Sequence, residues 1–452
     1  MRMTRLLVAI TLLIPAAAAA AAGGPVTPRA LNEEMLIVAS ERTYWPGFDP
    51  TAYPLAIYDG ARTWLFRHPA PPDGFSREGD AFIWQGRHPA VVANSSAGMG
   101  GISTATVLLE SLGKAGGLRE QVAVVVHETF HVFQATTGRR WGADEMALFL
   151  YPVDDADLLA LRRIETEALR RALAAESMSE AAGWARCAVE AREQRFDCLD
   201  ESSVAYERGI ESMEGTAAYI QYLIAGSSPP SFLDETFSAD DVRNRAYWTG
   251  VAFALLLDRF SPNWKTGFGG DSSRFLDSDL RQALEGIHAR SLAESERAAI
   301  ALRARADVRK IREQRSSRRE RFLSRHGWRI VFEADNAMPL WPKGFDPLNV
   351  QRVDGGILHT RFLRVGNESG RIEVMDGQAL TEGVGPHPLF NGIRRLIVTG
   401  LQAEPAIVTD GERLEISAPP CTVDLSGAEV TVADSTVTVR LAGEKPAQNQ
   451  GQ

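Results

Sequence analysis

The stretch "VAVVVHETFHVF", Val122–Phe133, places His127, Glu128 and His131 directly behind a run of valines, with one threonine as the only other polar side chain. Read as a helix, it stacks His127 and His131 at i and i+4 on one face. Two imidazole nitrogens then meet a single metal ion. Glu128 stands about 100° round the helix from His127, close enough to hold a water without binding the metal. An ordinary core helix is the competing reading. It has to accommodate three ionisable groups within five residues, and burying such groups without partners costs several kcal/mol.

A catalytic Zn2+ takes three protein ligands and keeps one position open. The third ligand is sought in "YERGIESMEGTAAYIQY", Tyr206–Tyr222, where Glu207, Glu211 and Glu214 recur at i, i+4 and i+7. That spacing puts three carboxylates on one side of a helix, where they repel one another unless a cation or an arginine lies nearby. Glu214 is the expected ligand, because Gly215, Thr216 and Ala217 are small enough to let this helix approach the first one. Glu211, one turn earlier, is expected to orient a histidine ligand from behind. A solvated acidic face is the alternative.

"HETFH" followed by "EGTAAY" resembles the gluzincin group of zinc metallopeptidases, loosely its aminopeptidase-like branch. The resemblance covers two short helices. It implies a zinc held by His127, His131 and Glu214, with Glu128 as general base, and a peptide or protein as substrate. Tyr247, in "NRAYWTGVAFALLLDRF", is the candidate donor to the oxyanion of a tetrahedral intermediate; packing with Trp248 is its other reading. His88 and His288 are lone histidines of the ordinary surface or core kind. "SSAGMGG" lacks the lysine of a phosphate loop, and no Gly-x-Ser-x-Gly elbow occurs. A non-catalytic, zinc-stabilised binding or scaffold protein is the main rival function. A zinc hydrolase of another amide or an ester is a further one.

Around these helices the chain has 452 residues, 44% hydrophobic and 24% charged, with a net charge of -9. That is ordinary globular composition for two or three domains. Residues 1–22 read as a signal peptide: basic "MRMTR", a short apolar run, then a string of alanines. A periplasmic or secreted protein without a transmembrane anchor is expected. Loss of Arg2 and Arg5 takes the charge from -9 to -11, which argues against nucleic acid as a partner. Oligomeric state is not legible.

The expected fold class is α+β, a mostly helical zinc-peptidase core between a small mixed N-terminal region and an all-β C-terminal domain. Residues 23–118 carry short apolar runs and turn signals, read as strands and loops. The stretch "PAVVANSSAGMGGISTATVLL" suggests a strand and loop bordering the cleft, able to bind peptide backbone by strand addition. Residues 119–326 show helical periodicity, with a helical hairpin inserted at 139–202 that either roofs the cleft or simply packs. The arginine-rich run before residue 326 reads as a solvated helix. Residues 327–442 alternate as antiparallel strands, and 443–452 form a tail.

Cys187 and Cys198 are neighbours in sequence. On one unbroken helix they would stand about 16 Å apart, beyond the roughly 4.4–6.8 Å of a disulfide, so a bridge requires a turn between them. Cys421 is left over.

Overall fold

The computed structural model describes residues 26–113, 116–226, 237–346, 349–383 and 389–441. The signal-peptide and tail segments lie outside these residues. The fold is α+β with a β-rich C-terminal part. Contacts divide the chain into two compact units, one made of residues up to Leu148 with Asp155–Arg305, the other of Phe149–Asp154 with residues from Ala306 onward. The N-terminal strands thus share a unit with the helices. Among the described residues no helix is long and apolar enough to cross a membrane.

The first unit opens with a helix that the sequence reading took for strand and loop. Helix α1 (Pro28–Glu41) has Thr27 as N-cap, accepting from the Ala30 amide at 3.2 Å, and a proline in its first turn. Leu31, Met35 and Val38 form its buried stripe. Six strands follow: β1 (Leu55–Tyr58), β2 (Arg62–Phe66), β3 (Ser76–Glu78), β4 (Ala81–Gln85), β5 (Ser95–Met99) and β6 (Ile102–Leu108). They form one sheet in the order β3-β4-β2-β1-β6-β5. The β1–β6 pair is parallel and the others are antiparallel. The segment expected to border the cleft is the β5–β6 hairpin, with β5 at the sheet edge.

After the single turn α2 (Leu109–Leu112) comes α3 (Leu118–Thr136), the helix of the opening stretch. Every residue from Gln121 to Gln134 is buried, which explains why the valines show no polar face. The helix packs against β6, β5 and α1, and against α7 (Thr216–Ala225). Phe130 and Phe133 enter an aromatic cluster in which Trp45 lies edge-on to Phe130, Trp264 and Phe268. Such pairs add about 0.5–1.5 kcal/mol each beyond their buried area.

The inserted hairpin is α4 (Ala156–Ala174) and α5 (Met178–Phe196), each started by a side-chain cap, Asp155 and Ser177. Helix α6 (Glu201–Ile210) runs through a π-turn, Glu211–Gly215, into α7. Helix α8 (Val242–Phe260) crosses that turn glycine on glycine. A Cβ on Gly215 would fall 2.7 Å from the Gly250 Cα, and one on Gly250 2.9 Å from the Glu211 carbonyl oxygen. The small residues after Glu214 were expected to admit α3. Gly215 admits α8 instead, and Thr216 makes the contact to α3. Helix α9 (Leu276–Ala283) precedes the arginine-rich α10 (Glu294–Leu323), most of whose basic side chains are exposed.

The second unit holds two sheets. In spatial order, one comprises Ala428–Ala433, Thr436–Leu441, Trp328–Ala334, Ile393–Leu401, Ala379–Gly383, Gly356–His359 and Val350–Val353. The other comprises Ala406–Asp410, Arg413–Ala418, Cys421–Ser426, Gly370–Met375, Phe362–Asn367 and Trp341–Phe345. Inward residues such as Ile330, Phe332, Val365, Ile372, Leu396 and Val439 share one core. The all-antiparallel expectation has one exception, since Thr436–Leu441 runs parallel to Trp328–Ala334.

The cysteines are free. Helix α5 runs unbroken to Phe196 and turns only at Asp197, too late to bring the two together, so Cys187 stays buried on the helix and Cys198 lies exposed just beyond its end. Cys421 is enclosed in the β core, where burial pushes its thiol up to about 12.

Candidate metal centre

Helix α3 carries His127 and His131 one turn apart, with their Nε2 atoms 3.1 Å from each other. From the π-turn, Glu214 brings Oε2 to 3.2 Å from His131 Nε2 and 3.6 Å from His127 Nε2. Ligands at ordinary zinc distances of about 2.0–2.1 Å stand about 3.3 Å apart on a tetrahedron. The three separations therefore describe one face of such a tetrahedron. All three side chains are buried.

The π-turn decides which glutamate reaches the histidines. On a regular helix Glu211 and Glu214 would face nearly the same way; the wider turn separates them. Glu211 was expected behind a histidine, but it turns to α5 and α8. Arg192 Nη1 donates to its Oε2 at 2.7 Å and Arg192 Nη2 to its Oε1, while Thr249 Oγ1 donates to Oε1 at 2.7 Å.

Gln134 takes the role assigned to Glu211. Its Nε2 donates to the Met213 carbonyl at 2.9 Å and to Thr216 Oγ1 at 3.0 Å. Both amide protons are thereby committed, so its Oε1, 2.7 Å from His131 Nδ1, accepts the ring N–H. That tautomer points the His131 Nε2 lone pair at the cluster. The same amide ties α3 to the ligand-bearing turn. Gln134→Leu is expected to weaken zinc binding about 10- to 100-fold in a competition titration with a chromogenic chelator; unchanged affinity would remove Gln134 from the site.

The electrostatics of the side chains alone call for a positive charge between them. Burial opposes charge on His131, yet the Glu214 carboxylate, its hydrogen bond and Glu128 raise the imidazole to about 9. Burial likewise opposes charge on Glu214, which the adjacent His131 and His127 rings nevertheless hold well below the usual carboxylate range. Burial pushes His127 down. A divalent cation satisfies the carboxylate as a proton on the imidazole does, and with more partners. The donor set of two imidazoles and a carboxylate suits zinc.

Glu128 is fully buried and neither carboxylate oxygen has a hydrogen-bond partner among the described residues. Burial pushes its pKa up to about 8, with Glu214 adding to the rise and His131 opposing it. A carboxylate left unsatisfied in a packed helix is costly.

Tyr247 lies on α8 with its ring buried. Its hydroxyl oxygen accepts from Arg243 Nη1, and burial together with the nearby Glu214 charge holds the phenol well above its usual pKa. Arg243 joins the group through Nη2, 3.2 Å from Glu214 Oε1, and through Nε, 3.1 Å from Glu145 Oε1. Sequence reading missed Gln134 and Arg243. Each sits three or four residues from a flagged residue on the same helix face, which was the available signal. His88 is a loop residue accepting the Ala90 amide at Nδ1 beside Phe75 and Trp84, and His288 is exposed. Neither joins the cluster.

The α4–α5 hairpin is fastened by buried ion pairs to the helix that delivers Glu214. Arg192 Nε donates to Glu165 Oε1 at 3.0 Å, and Arg195 Nη2 donates to Glu165 Oε2 at 2.8 Å and Glu207 Oε2 at 2.9 Å. These contacts hold the hairpin firmly against that helix. A cavity of about 470 Å³ beside α5 and α9, lined by Arg192, Arg208 and Asp277 among others, includes no residue of the metal cluster. No family model, no curated protein and no solved structure matches this chain.

Proposed function

We propose that this chain is a zinc-dependent peptidase of the kind its HExxH and EG-Thr-Ala segments resemble. The observation that carries the reading is the buried triangle of His127 Nε2, His131 Nε2 and Glu214 Oε2, with separations of 3.1 to 3.6 Å, beside an unpartnered Glu128 on the next helical position. A zinc ion held by these residues supplies Lewis acidity to a substrate carbonyl and to the attacking water. Glu128 accepts the proton that this water releases as its oxygen adds to the carbonyl carbon and the C=O π pair moves onto the carbonyl oxygen. It returns the proton to the amine nitrogen as the C–N bond breaks. Burial favours that return by raising Glu128's proton affinity, and a neighbouring cation lowers it again toward neutrality.

Peptide is favoured as substrate by β5, an edge strand that packs on α3 and whose Ser96, Ala97 and Gly98 are partly or fully exposed. An extended peptide adds to such an edge by main-chain hydrogen bonds. A purely structural zinc is the second reading. It is favoured by the depth of the site, since His127 and His131 are each only 6% exposed.

The mature protein is expected to bind about one zinc per chain, and a His127→Ala, His131→Ala double variant none, by atomic emission on protein dialysed against trace zinc. Metal absent from both ends the proposal. Metal present without hydrolysis of any member of a peptide library supports the structural reading.

A further inference from the structure

The phenol of Tyr247 is the group sequence reasoning offers to the oxyanion, and the hydrogen-bond geometry offers its neighbour Arg243 as the richer and more accessible donor. A tyrosine hydroxyl has one proton to donate. An arginine accepts nothing, so the Arg243 Nη1 contact uses the phenol oxygen as acceptor. The phenol keeps a single O–H on a residue that is 1% exposed. Arg243 has five N–H donors, of which its contacts to Glu145, Tyr247 and Glu214 use three. Its two remaining N–H groups belong to the terminal nitrogens, those that reach Tyr247 and the ligand carboxylate. The Arg243 side chain is 15% exposed and that of Glu214 1%, so the guanidinium lies on the more open side of the cluster while the Tyr247 ring is enclosed. A guanidinium stays protonated throughout the pH range of a folded protein.

We propose that Arg243, and not Tyr247, supplies the N–H donors that bind negative oxygen developing at this centre. The inference rests on the zinc reading above. Tyr247 is the positioning residue that aligns Arg243 with Glu214.

The probe is methylphosphonate, a tetrahedral oxyanion, titrated calorimetrically into zinc-loaded wild type, Arg243→Gln, Arg243→Lys and Tyr247→Phe, with zinc content measured in each. Imidazole, a neutral zinc ligand, is titrated in parallel. Arg243→Gln is expected to bind methylphosphonate about 10- to 100-fold more weakly with imidazole affinity unchanged. Tyr247→Phe should stay within about threefold of wild type, because the donors remain. Arg243→Lys keeps a cation beside Glu214 without the planar pair of N–H groups. It is expected to hold zinc and bind the phosphonate more weakly, and it carries the test if Arg243→Gln does not fold.

The reverse ranking of Tyr247→Phe and the Arg243 variants overturns the assignment. So does equal loss for phosphonate and imidazole, which would mean that Arg243 only shapes the metal site. A wild type that takes up no zinc overturns the metal reading, and the donor role with it. Zinc uptake with unaltered phosphonate affinity in both Arg243 variants overturns the donor role alone.

Discussion

Glu128→Gln is expected to lower peptide turnover by about 100- to 10,000-fold, the usual contribution of a positioned general base, while zinc content stays that of wild type. The substitution keeps the shape of the side chain and removes its capacity to take a proton. Glu128 neither bonds to a neighbour nor belongs to the triangle of ligand atoms, so nothing in the fold depends on its charge. Removing a buried, unsatisfied carboxylate should leave stability equal or slightly raised. Three readouts therefore separate: turnover falls, metal is retained, and the thermal midpoint does not drop. Loss of zinc in this variant would mean that Glu128 is a ligand. Unchanged turnover would mean that another group is the base.

The second large effect is on stability. Arg192→Ala should cost about 3–5 kcal/mol, the loss seen when one partner leaves a buried ion pair. Arg192 is 1% exposed and bonds both Glu165 and Glu211; three arginines (192, 195, 245) balance three glutamates (165, 207, 211) in this network. Without Arg192, Glu211 keeps only the Thr249 hydroxyl. Chemical denaturation of the metal-free protein checks this, and a loss under about 1 kcal/mol would be the value of a surface pair.

The network also sets a pH dependence. Burial works against ionised Glu165, yet Arg192, Arg195 and Arg245 bring it down to about 2, and Arg195 and Arg192 take Glu207 lower still. A carboxylate with a depressed native pKa stabilises the fold fully above its unfolded value and loses that contribution as pH falls through the native one. Stability from these two groups should be constant above about pH 4.5 and decline from there toward pH 2 and below. A decline starting above pH 6 on acidification would point to His127 instead, whose pKa burial pushes down.

Much of the first unit was legible because its signals are local. The i, i+4 histidines with an interposed glutamate define a face of α3 by geometry alone, and Glu214 was singled out by the small residues beside it. Helix α1 was equally legible, with a threonine cap, a proline and apolar residues at 31, 35 and 38, but the surrounding prolines and glycines drew attention to strands. Glu211 could not be placed, because nothing in "GIESMEGT" announces a π-turn. The pattern i, i+4, i+7 assumes an unbroken α-helix, and one widened turn parts the last carboxylate from the first two. The partners of those two were hidden for another reason: Arg192 and Arg195 lie on the inserted hairpin, and no helical spacing links them to Glu211. The three-acid face was expected to need a cation or an arginine nearby; the arginines answer for Glu207 and Glu211.

The widened turn also splits one continuous rod of backbone into two phases. Upstream of it, side chains are timed to the arginines of α5; downstream, they are timed to the histidines of α3. A uniform helix of the same length would have to choose, since turning Glu211 toward Arg192 would swing Glu214 away from His131. One extra residue per turn lets a single segment answer two incompatible clocks. The deletion of any one residue between 211 and 215 would collapse both appointments into one.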